Sequence, residues 1–215
     1  MLLAIDTATR YASIALHDEH TLRGECTWEA NRQHTVTLLP HIYELLQETG
    51  ITPEHLSAIA VCRGPGSYTG VRIGLAVAQG LAITRHLPLV GVTTLEILVA
   101  AQPPDPRALY VLFEAGRRLV GFARYRYVTS AWQAEDKVRI VPWAEIAKHV
   151  EPPAILVGEI PAEGEQALAP LGDRVYVPSP AHRLRRAGFL AELGWKRLRA
   201  GYHGDPARLT PIYAR

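Results

Sequence analysis

A chain of 215 residues is long enough for one large or two small domains, and its 48% hydrophobic content with mean hydropathy of +0.01 supplies a real core. Basic and acidic residues number 23 and 21, a balance that gives no argument for nucleic acid as a direct ligand. Two cysteines without CxxC spacing exclude a disulfide scaffold, and no apolar run reaches the roughly 18–20 residues of a membrane span, so a reduced, cytoplasmic setting is expected.

The start, MLLAIDTATR, has an acid at position 6 and no basic run, unlike a signal peptide. Leu2–Asp6 reads as a buried strand, and Thr7, Ala8 and Thr9 as a small hydroxyl-rich turn. Tyr11–His17 alternates as a strand should, Asp18–His20 turns, and Thr21–Trp28 makes a third strand. An Asp-Thr turn between strands suits a phosphate hairpin: backbone N–H groups face the phosphate and the carboxylate holds a metal ion or its water. Asp6, Thr7 and Thr9 are therefore the candidate nucleotide-binding residues.

His34–Glu48 carries Leu38, Leu39, Ile42, Leu45 and Leu46 on one helical stripe, with Pro40 inside it and Gly50 as a C-cap. His34 and His41, seven apart, do not have the spacing of helical metal ligands. Ala58–Cys62 is a strand. Gly64-Pro65-Gly66 turns it into a helix capped by Ser67 or Thr69. Along that helix Gly70, Gly74, Ala78 and Ala82 recur every fourth residue and form a ridge almost without side chains. Ile73, Val77 and Leu81 form a second ridge, and Arg72 and Gln79 are its strongly polar residues. A smooth ridge admits another helix closely, from this chain or from a partner.

Leu89–Val92 is a strand and Thr94–Ala100 a helix. Gln102-Pro103-Pro104-Asp105-Pro106 marks a domain boundary, giving expected domains of 1–102 and 103–215, with the last few residues free to return to the first. Beyond it, Ala108–Phe113 and Leu119–Val128 form a hairpin about the turn Glu114–Arg118. Val138–Val141 is a strand and Pro142–His149 is helical. Ala154–Val157 and Val175–Val177 are strands, and Ala187–Ala200 is a helix. Both halves are hairpins followed by alternating strands and helices, an α/β arrangement. Arg183, Arg185, Arg186, Lys196, Arg197 and Arg199 cluster late in the chain and fit a solvated helix face.

LLAIDTAT, the HTxxLLP pattern at His34–Pro40, RGPGSYTGVRIG at Arg63–Gly74, AQGLA at Ala78–Ala82 and the closing P-x-Y-x-R at Pro211–Arg215 resemble the bacterial TsaB (YeaZ) family. The resemblance implies the two-domain acetate kinase/Hsp70/actin-like fold, of ribonuclease H-like architecture. It implies a part in forming N6-threonylcarbamoyladenosine at position 37 of tRNAs reading codons that start with A. It also implies no catalytic residues and no metal in this chain, a TsaD-like catalytic subunit and a TsaE-like ATPase as partners, a homodimer when alone, and tRNA met through the complex. ATP or ADP with Mg would act at the level of the complex. Pairing through helices matching His34–Glu48 and Thr69–Arg85 places the expected interface on Leu38, Ile42, Leu45, Gly70, Gly74, Ala78 and Ala82.

The residues agree that catalytic equipment is sparse. No H-x-x-x-H occurs among the nine histidines. Glu114-Ala115-Gly116-Arg117 stands where the family commonly reads Asp-Ala-Arg, which weakens a second acid for placing Mg and phosphates. The competing expectation is an ATPase or phosphotransferase working through Asp6. A peptidase is the third, and Ser67 has no base near it in sequence.

Overall fold

The computed structural model describes every residue except Arg32, His203 and Arg215. The last of the family-like closing residues, Arg215, thus lies outside the described residues. The chain divides into two compact units, Met1–Ala100 with Arg186–Tyr213, and a second built on Ala101–Arg185.

The first unit runs β1 (Leu2–Asp6), β2 (Tyr11–His17), β3 (Leu22–Glu29), α1 (His34–Thr49), β4 (Ala58–Cys62), α2 (Tyr68–Thr84), β5 (Leu89–Val92) and α3 (Thr94–Ala100). Its sheet has the order β3-β2-β1-β4-β5, antiparallel across the two N-terminal turns and parallel from β1 to β4 to β5. Alternation along the strands sorts the core into two layers. Leu3, Ile5, Ile14, Leu16, Ile59 and Val61 meet α1 and α2 on one side. Leu2, Ala4, Ala15, Ala58 and Ala60 form the other side, where the cover is a helix from the far end of the chain.

That helix spans Ala187–Arg199 and buries Ala187, Leu190 and Ala191 against the alanine-rich side of the first sheet. Its Gly194 lies so close that an added Cβ would stand 2.9 Å from the Ala60 methyl. The chain leaves the first unit after Ala100, and residues 186–213 belong to that unit and not to a domain running 103–215. The physical reason is that a mixed sheet has two apolar sides, and α1 and α2 cover one of them.

The second unit contains β6 (Ala108–Glu114), β7 (Leu119–Val128), β8 (Ala131–Ala134), β9 (Arg139–Pro142), β10 (Ala154–Gly158), α4 (Ala162–Leu168) and β11 (Val175–Tyr176). The helix of the first unit at Ala187–Arg199 is therefore α5. The second sheet has the order β11-β10-β6-β7-β8, with β9 also on β7. Tyr110, Leu112, Phe122, Trp143, Ile146 and Leu156 fill its core. The expected helix at Pro142–His149 is a 3-10 segment over Trp143–His149, and β8 and α4 are elements the apolar pattern does not mark. No helix among the described residues is long and apolar enough to cross a membrane.

Candidate functional site

Two features of the first unit concern function: the turn after β1 and the outward sides of α1 and α2. The turn is built tightly. The Asp6 carboxylate accepts a hydrogen bond from the Ala8 N–H at 2.9 Å, and the Thr7 hydroxyl donates to the Gly70 carbonyl at 2.8 Å. The glycine turn lies directly on it. Ser67 N–H donates to the Ala8 carbonyl at 2.6 Å, and a Cβ on Gly66 would fall 2.1 Å from that same oxygen. Thr7 and Ala8 have no exposed surface, and Asp6 and Thr9 are buried. His34 reaches in from the first turn of α1, its Nε2 2.8 Å from the Thr9 carbonyl.

A phosphate needs free N–H groups facing open space. Here the Ala8 N–H is spent on Asp6, and the glycine turn occupies the ground above Thr7 and Ala8. The Ala8 N–H is thus not available to a phosphate at the Asp6, Thr7 and Thr9 turn. Ser67 caps α2 by accepting from the Gly70 N–H at 3.2 Å, a structural duty that leaves the peptidase reading without support. Among the described residues no group of three or more His, Cys, Asp or Glu side chains stands close enough to hold a metal ion. His41 accounts for itself otherwise: it stacks on Trp28 with ring centroids 4.1 Å apart, and its Nδ1 bonds the Thr37 carbonyl.

The small-residue ridge of α2 faces inward. Gly70 and Gly74 are buried because Thr7 sits against them: an added Cβ would fall 2.2 Å from the Thr7 carbonyl oxygen at Gly70 and 2.2 Å from Thr7 Oγ1 at Gly74. Ala78 and Ala82 have no exposed surface and belong to the core with Leu38, Ile42 and Leu45, which are only 1%, 6% and 5% exposed. All seven residues expected at an interface are thus interior, and the ridge exists to bring α2 close to its own sheet. A smooth ridge serves a sheet and a partner helix equally, so spacing alone does not separate the two.

The outward face is a different set of residues. On α1, Val36, Leu39 and Tyr43 are 73%, 54% and 64% exposed, with Pro40 exposed among them. They sit three, four and seven apart, so they form one stripe. Leu39 therefore leaves the core stripe on which its spacing placed it. On α2, Thr69, Arg72, Ala76, Gly80 and Ile83 are exposed and Ile73 and Val77 half-buried. Nothing lies within 4 Å of where a Gly80 side chain would begin. The two helices touch each other.

The late arginine cluster is internally neutralised. Arg183 pairs with Glu165 at 3.0 Å and Arg185 with Glu159 at 2.7 Å, both arginines buried. Arg186 pairs with Glu25, Arg197 with Glu96, and Arg199 with Glu19 at 3.4 Å. Each pair lies within one unit, so these arginines, expected on a solvated helix face, are matched to carboxylates of their own unit.

Residues 15–160 match the family model described as TsaD: tRNA N6-adenosine threonylcarbamoyltransferase. The chain is 32% identical over 218 residues to the tRNA threonylcarbamoyladenosine biosynthesis protein TsaB of Bacillus subtilis, covering 100% of this chain and 93% of that protein. It is 38% identical over 138 residues to the TsaB protein of Escherichia coli, covering 63% of this chain and 59% of that one. Among solved structures, YeaZ from Pseudomonas aeruginosa superposes with a TM-score of 0.79 at 26% identity, covering 99% of both chains. The ethanolamine utilization protein EutJ from Carboxydothermus hydrogenoformans, at TM-score 0.52, 13% identity and 88% of both chains, shares the fold. The fold is thus the two-domain α/β arrangement of the acetate kinase/Hsp70/actin class, and with a B. subtilis relative matching the whole of this chain at 32% identity the chain belongs to the TsaB (YeaZ) family.

Proposed function

We propose that this chain is a non-catalytic, organising subunit of the machinery that forms N6-threonylcarbamoyladenosine at position 37 of tRNAs reading codons starting with A. It acts by holding a TsaD-type catalytic subunit on the outward face of α1 and α2, with a TsaE-type ATPase joining the pair and tRNA entering through the complex. Alone, the same face closes a homodimer, and the setting is the cytoplasm. The observation that carries this reading is the exposure of Val36, Leu39 and Tyr43 on α1 and of Ala76, Gly80 and Ile83 on α2, two helices in contact. The match of residues 15–160 to the TsaD model supports it further, as the chain is related to the subunit it is proposed to hold. This chain requires no cofactor of its own in this reading, and any ATP or ADP with Mg acts at the level of the complex; the glycine turn packed against the Ala8 carbonyl fits this.

Gly80→Trp is the direct test. The open space at Gly80 lets the fold accept the ring, while a partner helix cannot. Calorimetry with the TsaD-type subunit is expected to show affinity reduced by about 100-fold or more, as for a spoiled interface centre, at unchanged thermal stability. Wild-type affinity in a folded Gly80→Trp chain overturns the docking assignment. The rival reading, an ATPase using Asp6, requires ATP turnover by the isolated chain that disappears in Asp6→Asn.

A further inference from the structure

At the N-terminal end of the α2 stripe, one guanidinium is held in an unusual way. Arg72 lies over the ring of Tyr68 with its Cζ 3.9 Å from the centroid, and its Nε donates to the Tyr213 hydroxyl at 2.7 Å. Tyr68 and Tyr213 stack on each other with centroids 5.1 Å apart. Tyr213 is itself fixed by the segment that precedes it. Ile212 N–H donates to the Arg63 carbonyl at 2.7 Å, the Gln79 side-chain amide donates to the carbonyls of Pro206 and Leu209, and Leu209 is buried in the first core. The last residues of the first unit therefore form a strap along α2, and the strap ends on Arg72.

Arg72 is exposed, and among the described residues its two terminal nitrogens, Nη1 and Nη2, have no partner. The guanidinium is thus oriented by its ring and its Nε, while the planar fork that recognises carboxylates is left open. A long arginine normally loses much rotamer freedom when it makes a contact, and here that freedom is already lost. The arginines at 183, 185, 186, 197 and 199 are all matched to carboxylates of this chain, and Arg72 has no such match among the described residues.

We propose that Arg72, presented by Tyr68 and Tyr213, takes an aspartate or glutamate side chain of the TsaD-type subunit docked on the α1–α2 face, and that the C-terminal strap sets the angle of this contact. The proposal rests on the docking reading above and adds to it a charge on the partner and a second structural element of this chain. Arg72 is a binding residue and Tyr213 a positioning residue.

The test is calorimetry of the full chain with the TsaD-type subunit at low and high salt. Arg72→Ala is expected to weaken binding about 10- to 100-fold, in the range for truncating one member of an interfacial charge pair. Arg72→Lys keeps the charge but not the fork and recovers only part of the loss. Tyr213→Phe leaves the arginine and removes the oxygen that orients it, and costs about threefold through added rotamer entropy. Arg72→Glu, assayed against partner variants in which one surface acid at a time becomes lysine, regains affinity with one of them. Wild-type affinity for Arg72→Ala overturns the proposal, as does Arg72→Lys equal to wild type or the failure of every charge swap. If Gly80→Trp abolishes binding while Arg72→Ala does not, the docking face stands and the arginine contact falls. If Arg72→Ala weakens binding while Gly80→Trp does not, the carboxylate contact at the start of α2 survives and the docking assignment centred on Gly80 falls. If neither substitution matters, both readings fail together.

Discussion

At the residue scale, glycines in one helix serve opposite ends. Gly74 is required by Thr7, whose hydroxyl would lie 2.2 Å from a new Cβ. Gly74→Ala is expected to destabilise the chain by about 1–3 kcal/mol through overpacking, seen as a lower urea midpoint at unchanged slope. Gly80 meets nothing, so Gly80→Ala gains up to about 1 kcal/mol of helix propensity, and the same measurement moves the other way. Cys26 carries a second prediction. Burial raises its thiol above the ordinary range, and Glu44, Glu48 and Glu25 raise it further. Thiolate is the reacting species, so alkylation of Cys26 near neutral pH should be slower than that of a free thiol, and Glu44→Gln should speed it. Labelling at the model-thiol rate would contradict this account.

At the scale of elements, α5 and the segment before β6 give the clearest outcomes. Leu190 has no exposed surface and lies between α5 and the first sheet. Leu190→Ala is expected to cost about 2–5 kcal/mol, and hydrogen exchange should show the loss in β1 and β4, more than a hundred residues earlier in the chain. Protection unchanged in those strands would mean that α5 is not their cover. Before β6, Arg107 grips Asp105 with Nε and Nη2 at 2.9 and 2.8 Å, and this hydrogen bonding, chiefly, holds the Asp105 carboxyl below its usual pKa. A lowered folded pKa gives stability that is present above the unfolded value and is lost as pH falls through the folded one. Asp105→Asn should therefore narrow the gap between neutral and acid stability, and pH-dependent denaturation curves that stay parallel to wild type would refute it.

At the scale of the whole molecule, the order of strands and helices before residue 100 was legible because each has its own mark. Alternation identifies β2, the Leu38–Leu46 stripe identifies α1, and the glycine turn with Ser67 identifies the start of α2. The orientation of α2 was not legible. It is apolar on nearly every side, so the pattern does not say which ridge is inside, and only Thr7 against Gly70 and Gly74 decides it. Leu39 misled for a related reason: adjacent to Leu38 on the helix, it shares the apolar character of the core but stands beyond its edge. The return of α5 to the first unit was invisible too, because its partners, Leu2, Ala4, Ala58 and Ala60, are far away in sequence and its own residues fit any sheet. The site suffered most, since small residues good for close packing were read as a surface.

The chain leaves the first unit at residue 100 and comes back at residue 186. During synthesis this imposes a delay. When the ribosome has delivered β1 to α3, one side of the sheet has its two covering helices and the other, with Leu2, Ala4, Ala58 and Ala60, is still bare. At the usual pace of about 5–20 residues per second, the bare side waits several seconds for α5 to emerge, and that interval is when a nascent chain of this design is open to chaperones and to aggregation.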